Sequence, residues 1–340
     1  MNKEFADEIS VENESKSTHG TLYVMRERDY LTKELSSYYK IGIVNGAKEV
    51  EIRRKDHLTG NARDIFTVAE FTCLAVQKLE TLLHNLFAKN RVHSGEWFVF
   101  SEQEAAVLPS IIQQWMETIN KSLENLNGQD IPQSRGSEAL TSASTTAARL
   151  GGRLAQAVRE QKAAAANKSL LSKALVSAAG TNPDFAFMFK FSERKTGGSF
   201  SSAIVKDLDK KLWSDYMTVV EVKDTPKWDL DSYGEVALET RILNIAELPD
   251  SPIELHQLFL EAWGAEYRWK LVTELLKPAL LVEGKGSAGI EGIYHWELVT
   301  TTSFDKKRFE EEKPEEFSKC ISPKVTKPAI APAEWASYKI

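Results

Sequence analysis

The chain has 340 residues, 42% of them hydrophobic and 27% charged, with a formal net charge of −6. That length is too great for one ordinary core and predicts two domains. The acidic balance excludes a protein that coats nucleic acid with its whole surface but leaves room for a local basic site, and two distant cysteines, Cys73 and Cys320, exclude a disulfide framework.

Residues 1–19 are acidic and lack an apolar core, so they read as a disordered tail and not as a signal peptide. No apolar run nears the roughly 20 residues that span a bilayer. The expectation is a soluble, cytoplasmic chain without a membrane partner. "GTLYVM" predicts a first strand and "YYKIGIV" a second, joined as an antiparallel pair. The second strand carries an oddity, Lys40 in the middle of an apolar run. Tyr39, Ile41 and Ile43 alternate to one side, Lys40 and Gly42 to the other.

"VEIRRKDHL" follows, then the turn signal "TGNARD". "IFTVAEFTCL" reads as a third strand. "CLAVQKLETLLHNLFAKN" reads as an amphipathic helix with Val76, Leu79, Leu83 and Leu86 at spacings of three and four. "GEWFVF" closes a unit spanning residues 20–100. Beyond it, "SEQEAAVLPSIIQQWMETINKSLENLN" is helical despite Pro109. A Gly/Ser/Thr-rich stretch and a basic, alanine-rich helix then make residues 101–182 read as a linker region.

Residues 183–340 form a second expected domain, α+β in class. Six of its residues, Trp213, Trp228, Trp263, Trp269, Trp296 and Trp335, call for a core of their own. Here "SPIELHQLFLEAWGAEYRWKLVTELLKP" reads as a helix stopped by Pro278, and "ALLVEGKGSAGIEGIYHWELVT" as strand, glycine-rich turn and strand.

The chemistry concentrates in residues 20–100. Tyr23 offers a phenol, Lys40 an ammonium, Arg53 a guanidinium and His57 an imidazole. If the segment after the second strand is helical, Arg53 and His57 share a face. Glu80 stands on the later helix with His84 one turn beyond it. This set suits phosphodiester hydrolysis. Fixed cations stabilise the charge that builds on the phosphoryl oxygens, Lys40 would favour the Tyr23 phenolate, and a carboxylate such as Glu80 can hold Mg²⁺ or Mn²⁺.

The ordered series "GTLYV…YYKIGI…R…H…LETLLHNLF…GEWF" resembles the GIY-YIG nuclease superfamily, in particular a phage-associated branch with K-I-G in place of Y-I-G and an E-x-x-x-H…EWF segment. The resemblance covers about residues 20–100. It implies a small three-stranded antiparallel sheet flanked by helices and single-metal hydrolysis of DNA. It also implies roles. Tyr23 would be general base or water-orienting group, Lys40 would hold the place of the second tyrosine, and Arg53 would bind phosphate with His57 as its companion. Glu80 would be the ligand of Mg²⁺ or Mn²⁺. The gap from "KIG" to Arg53 is longer than in the family's pattern, so Arg54 competes with Arg53. The asparagine that ends many members has no counterpart; Glu96 and Trp97 stand near its place.

Arg54, Arg91, Arg149 and Arg153 are the candidates for DNA phosphate contact. The cations of the basic stretch 149–173 do not fall on one helical stripe, which favours a solvated helical connector over a DNA-tracking helix. The alternative to an endonuclease is a catalytically inactive nucleic-acid-binding protein on a GIY-YIG-derived fold.

Overall fold

A computed structural model of the chain describes residues 19–46, 49–59, 61–92, 95–234 and 237–335, with Thr196 described by its backbone alone. The expected tail therefore lies, but for His19, outside the described residues. The fold is α+β, with an antiparallel sheet near the N-terminus followed by a helical region and further sheets.

The N-terminal unit runs β1 (Gly20–Arg28), β2 (Leu35–Asn45), α1 (Val50–Leu58), β3 (Asp64–Cys73), α2 (Val76–Leu86), β4 (Trp97–Val99) and α3 (Glu102–Glu124). Its strands form an antiparallel sheet in the order β3-β1-β2-β4. The expected three strands are thus joined by a fourth. The backbone of "GEWF" docks on the free edge of β2: the Ile41 N–H donates to the Glu96 carbonyl at 3.1 Å, and Lys40 faces Trp97 across the ladder. Pairing satisfies edge groups that would otherwise lie open.

Alternation along the strands sorts the sheet into two faces. Leu22, Val24, Tyr39 and Ile41 pack against Leu79, Leu82 and Leu83 of α2 and Leu108, Ile112 and Ile119 of α3. Tyr23, Met25 and Val44 face the other way and meet Val50 of α1. Helix α3 starts at a full capping box: the Ser101 hydroxyl accepts from the Glu104 N–H, and the Glu104 carboxylate accepts from the Ser101 N–H.

The remainder of the chain is built on a pair of long helices. Helix α4 (Thr145–Ala179) is followed by β5 (Phe189–Thr196), α5 (Ser202–Leu208), α6 (Lys210–Asp215), β6 (Met217–Trp228) and α7 (Pro252–Glu283). Then come β7 (Gly289–Ile290), β8 (Tyr294–Phe304), α8 (Lys306–Glu312), α9 (Pro314–Lys319) and β9 (Val325–Pro332). Helices α4 and α7 run antiparallel. Leu154 meets Leu276 and Leu280 near one end, and Leu171 and Leu175 meet Leu255 and Phe259 near the other. Buried alanines such as Ala155, Ala157 and Ala164 keep the α4 surface shallow. A three-stranded sheet, β6-β8-β7, and a two-stranded pair, β5-β9, complete the fold.

The two helices expected in the stretch 101–182 are present and pack into cores: α3 lies on the N-terminal sheet and α4 lines α7. Two expectations change. Pro278 does not stop its helix. Leu276 and Leu280 on either side of it are buried against α4, and this packing outweighs one lost N–H bond. For the same reason "ALLVE" is the end of α7 and not a strand. A short apolar run does not tell the two apart.

The two parts of the chain share a core. Leu271 and Leu275 of α7 join the cluster formed by the N-terminal sheet, α2 and α3. Gly264 lets α7 pass close to the end of α2, because a Cβ there would stand 2.7 Å from the Asn85 carbonyl oxygen. The Trp263 indole N–H donates to the Asn85 side chain at 2.7 Å beside that crossing.

Candidate active site

Tyr23 and Gly42 are cross-strand partners on the α1 side of the sheet, with Met25 and Lys40 as the next pair. The Tyr23 ring lies across Gly42. A Cβ at residue 42 would stand 2.5 Å from the phenol oxygen, so the glycine of "KIG" is required by close approach. The phenol oxygen lies 3.3 Å from Nε2 of His57, on α1. Helix α1 thus delivers His57 to the phenol, and Arg53, one turn earlier, brings its charge to the same place.

Tyr23 is fully buried. Burial, reinforced by the Glu96 carboxylate, raises its pKa above the ordinary tyrosine value, while the neighbouring Arg53 pulls the other way. This corrects the expectation that Lys40 favours the phenolate. Lys40 is spent on a different partner. Its ammonium meets the Glu96 carboxylate at 2.5 Å and sits 5.7 Å from the centre of the Trp97 ring. Burial and the cations Lys40 and Arg53 hold the His57 imidazole below its usual pKa. Both shifts favour a neutral imidazole beside a protonated phenol, a pair in which the phenol donates to Nε2 when that nitrogen carries no proton.

Glu80 of α2 lies within electrostatic reach of Tyr23, Lys40, Arg91 and Glu96. Burial and the Glu96 charge push its carboxyl up to about 7, with Lys40 and Arg91 offsetting part of that rise. Burial alone would raise Glu96 too, but the Lys40 hydrogen bond and charge outweigh it and hold Glu96 below the usual carboxylate range. Glu80 thus feels the charge of an ionised Glu96, and a divalent cation beside Glu80 would relieve that repulsion. The residues present therefore fit Mg²⁺ or Mn²⁺ held through Glu80. Among the described residues, no group of three or more His, Cys, Asp or Glu side chains gathers as a metal site. Waters and substrate oxygens would fill the other positions of such an ion.

His84 has a structural task. Strand β4 is only three residues long, so the Ile41 carbonyl falls just past its end, and His84 Nε2–H donates to that carbonyl at 3.0 Å. Burial lowers its pKa. Arg91 reaches back through Nε–H to the Gly95 carbonyl at 2.6 Å, and burial lowers its pKa against the opposing pull of Glu334, Glu96 and Glu80.

The structure separates Arg53 from Arg54. Arg54 is clamped by the Glu51 carboxylate through two bonds of 2.7 Å and donates to the Ile65 carbonyl at 3.0 Å, facing β3. Arg53 is hydrogen-bonded and electrostatically coupled to the phenol and makes a looser contact of 3.6 Å with Asp56. Tyr23, Lys40, Arg53, His57, Glu80 and Arg91 thus form one electrostatically coupled cluster with Glu96, whereas Arg54 is captured by Glu51 and the Ile65 carbonyl. Arg149 and Arg153 are not part of this cluster and line a cleft between α3, α4 and α7. Sequence reasoning set Glu96 only near the place of the family's final asparagine and missed its pairing with Lys40. Its signal was present, since a lysine inside a buried strand demands an acid within reach, and "GEWF" supplies one.

No helix of the described residues is long and apolar enough to cross a membrane. No curated protein and no solved structure matches the chain. A family model described as T5orf172 domain matches residues 20–119, which marks the unit from β1 to most of α3 as a phage-associated, nuclease-like domain.

Proposed function

We propose that the domain hydrolyses DNA phosphodiesters in the manner of the GIY-YIG endonucleases, with Mg²⁺ or Mn²⁺ held by Glu80. The observation that carries this reading is the coupling, in one cluster, of the Tyr23–His57 pair, the Arg53 charge and a Glu80 carboxyl raised to about 7. Glu80 would be the metal ligand, with Glu96 close enough to share the charge. Such an ion, when bound, neutralises the phosphoryl oxygens.

The side chains divide the remaining work. Tyr23 orients the attacking water through its oxygen while its own proton is shared with His57. As the water oxygen bonds to phosphorus, the water proton passes to the phenol oxygen and the phenolic proton to His57 Nε2, so no free phenolate forms. The bond from phosphorus to the leaving oxygen breaks, and that oxygen takes a proton from solvent. Arg53 and Arg91 stabilise the charge on the phosphoryl oxygens. Lys40 holds Glu96 ionised and in place, so it acts as a positioning residue.

A second reading draws on the full burial of Tyr23 under His57: a nucleic-acid-binding module without turnover. Incubation of the chain with supercoiled plasmid and Mg²⁺ or Mn²⁺ separates the two. Conversion to nicked or linear DNA supports the enzyme. Absence of cleavage of any DNA or RNA, with binding retained, supports the module.

A further inference from the structure

The cleft between α3, α4 and α7 encloses about 530 Å³, within the range of pockets that hold small organic ligands. Its floor is apolar, from Leu275, Leu276 and Ala279 of α7. Its rim carries Lys121 of α3 and Arg149 and Arg153 of α4, all exposed. Arg149 and Arg153 are four apart on one helix and so share a face. None of the three makes an ion pair among the described residues. Glu283 is the one carboxylate among the described residues that line the cleft, and it already accepts a hydrogen bond from the Ser144 hydroxyl at 3.0 Å.

The other cations of the basic stretch are differently placed. Arg159 donates to the Leu230 carbonyl at 3.2 Å, and Lys168 is paired with Glu266. The stretch is therefore not a uniform solvated face: its first turns leave two guanidiniums free at a cleft. The cleft also adjoins the nuclease-like domain. Lys78 on α2, two residues before Glu80, pairs at 3.3 Å with Glu274 on α7, whose next residue is Leu275 of the floor.

We infer that this cleft holds an unpaired stretch of the nucleic-acid strand that the Tyr23–Glu80 cluster would cleave. An apolar floor beneath unpaired cations matches a single strand, which presents bases and sugars to apolar surface and phosphates to Lys and Arg. A duplex keeps its bases stacked inside and would use only the rim. The inference rests on the nuclease reading and deepens it, since it names the substrate form that the rest of the chain would select.

The test uses the full chain in EDTA, which suppresses cleavage, with fluorescence anisotropy on a labelled 20-nucleotide single strand and on a blunt duplex of the same sequence. Arg149→Gln/Arg153→Gln should weaken single-strand binding roughly tenfold near 0.1 M salt. It should also lower the log–log salt slope by about 1.4, since each phosphate left without its cation takes about 0.7 from the slope. Blunt-duplex binding should change less than twofold. Arg149→Lys/Arg153→Lys, which keeps both charges, should restore the slope. Lys162→Gln, an exposed cation of α4 outside the cleft, should change nothing. Unchanged single-strand affinity and slope in a variant that melts like wild type would overturn the inference and leave the nuclease reading standing. Equal weakening of strand and duplex would overturn the single-strand claim, and tight competition by a free mononucleotide would make the cleft a small-molecule site. Failure of the wild-type chain to bind any nucleic acid would sink both the inference and the nuclease reading.

Discussion

The Tyr23 phenol and Gly42 touch across two paired strands: any side chain at residue 42 would enter the space that the phenol oxygen fills. This contact fixes the ring that His57 and Arg53 address. Gly42→Ala should therefore displace the phenol, costing about 1–3 kcal/mol of stability by overpacking. If cleavage requires the Tyr23–His57 geometry, activity at a temperature where the variant remains folded should fall well beyond the loss of folded protein. Urea denaturation and plasmid cleavage on the same preparation compare the two losses. Equal, small losses would make the contact one of packing alone.

Lys40 offers a cleaner separation of folding from chemistry. Its side chain is buried, but its partner Glu96 is 43% exposed, so solvent screens the pair and Lys40→Ala should cost only about 1 kcal/mol. Without the ammonium, Glu96 loses the hydrogen bond and charge that hold its pKa down. Cleavage should then fall by about tenfold or more, short of the roughly 10²–10³ seen when a direct transition-state donor is removed. A folded Lys40→Ala protein that cleaves within twofold of wild type would leave Lys40 no part in the site.

The raised Glu80 carboxyl has a sign that can be checked in metal-free protein. Its folded pKa, about 7, lies above the unfolded value near 4.5, so the folded state binds the extra proton between those values. Stability from this group is whole below about pH 4.5 and is lost as pH rises through 7. Glu80→Gln removes the charge at every pH. It should leave stability nearly unchanged at pH 4.5 and raise it by roughly 1–3 kcal/mol at pH 8. Denaturant titrations in EDTA at the two pH values measure this. Equal stability of the two proteins at pH 8 would contradict the placement of Glu80 in a half-buried, anion-facing position.

The seam between the two parts of the chain is testable at Gly264. A methyl group there would collide with the Asn85 backbone. Gly264→Ala should lower stability by about 1–3 kcal/mol and loosen the Trp263–Asn85 hydrogen bond. Because Leu271 and Leu275 belong to the N-terminal core, a fragment ending after α3 should be less stable than the full chain. Two-probe unfolding would show whether the whole melts together.

Much of the N-terminal unit was legible because its residues obey simple periods. The alternation of Tyr39, Lys40, Ile41 and Gly42 gave the two faces of β2, and the recurrence of Val76, Leu79 and Leu83 gave α2. Arg53 and His57 at i, i+4 gave a shared face once α1 proved helical. What was not legible depends on partners distant in sequence. Lys40 and Glu96 are 56 residues apart and meet only through the short β4. The choice between Arg53 and Arg54 rests on Glu51 and the Ile65 carbonyl, which capture one of them. Pro278 misled because its helix is held by packing against α4, which no local rule registers.

Glu80, the proposed metal ligand, is the residue on which the nuclease reading depends. The most direct measurement is cleavage of supercoiled plasmid, with Mg²⁺ or Mn²⁺, by wild type beside Glu80→Ala. Wild type should cleave in a metal-dependent way, and a folded Glu80→Ala protein should lose about 10²-fold or more of that activity. Equal cleavage by the two proteins would contradict the assignment of Glu80 as the metal ligand.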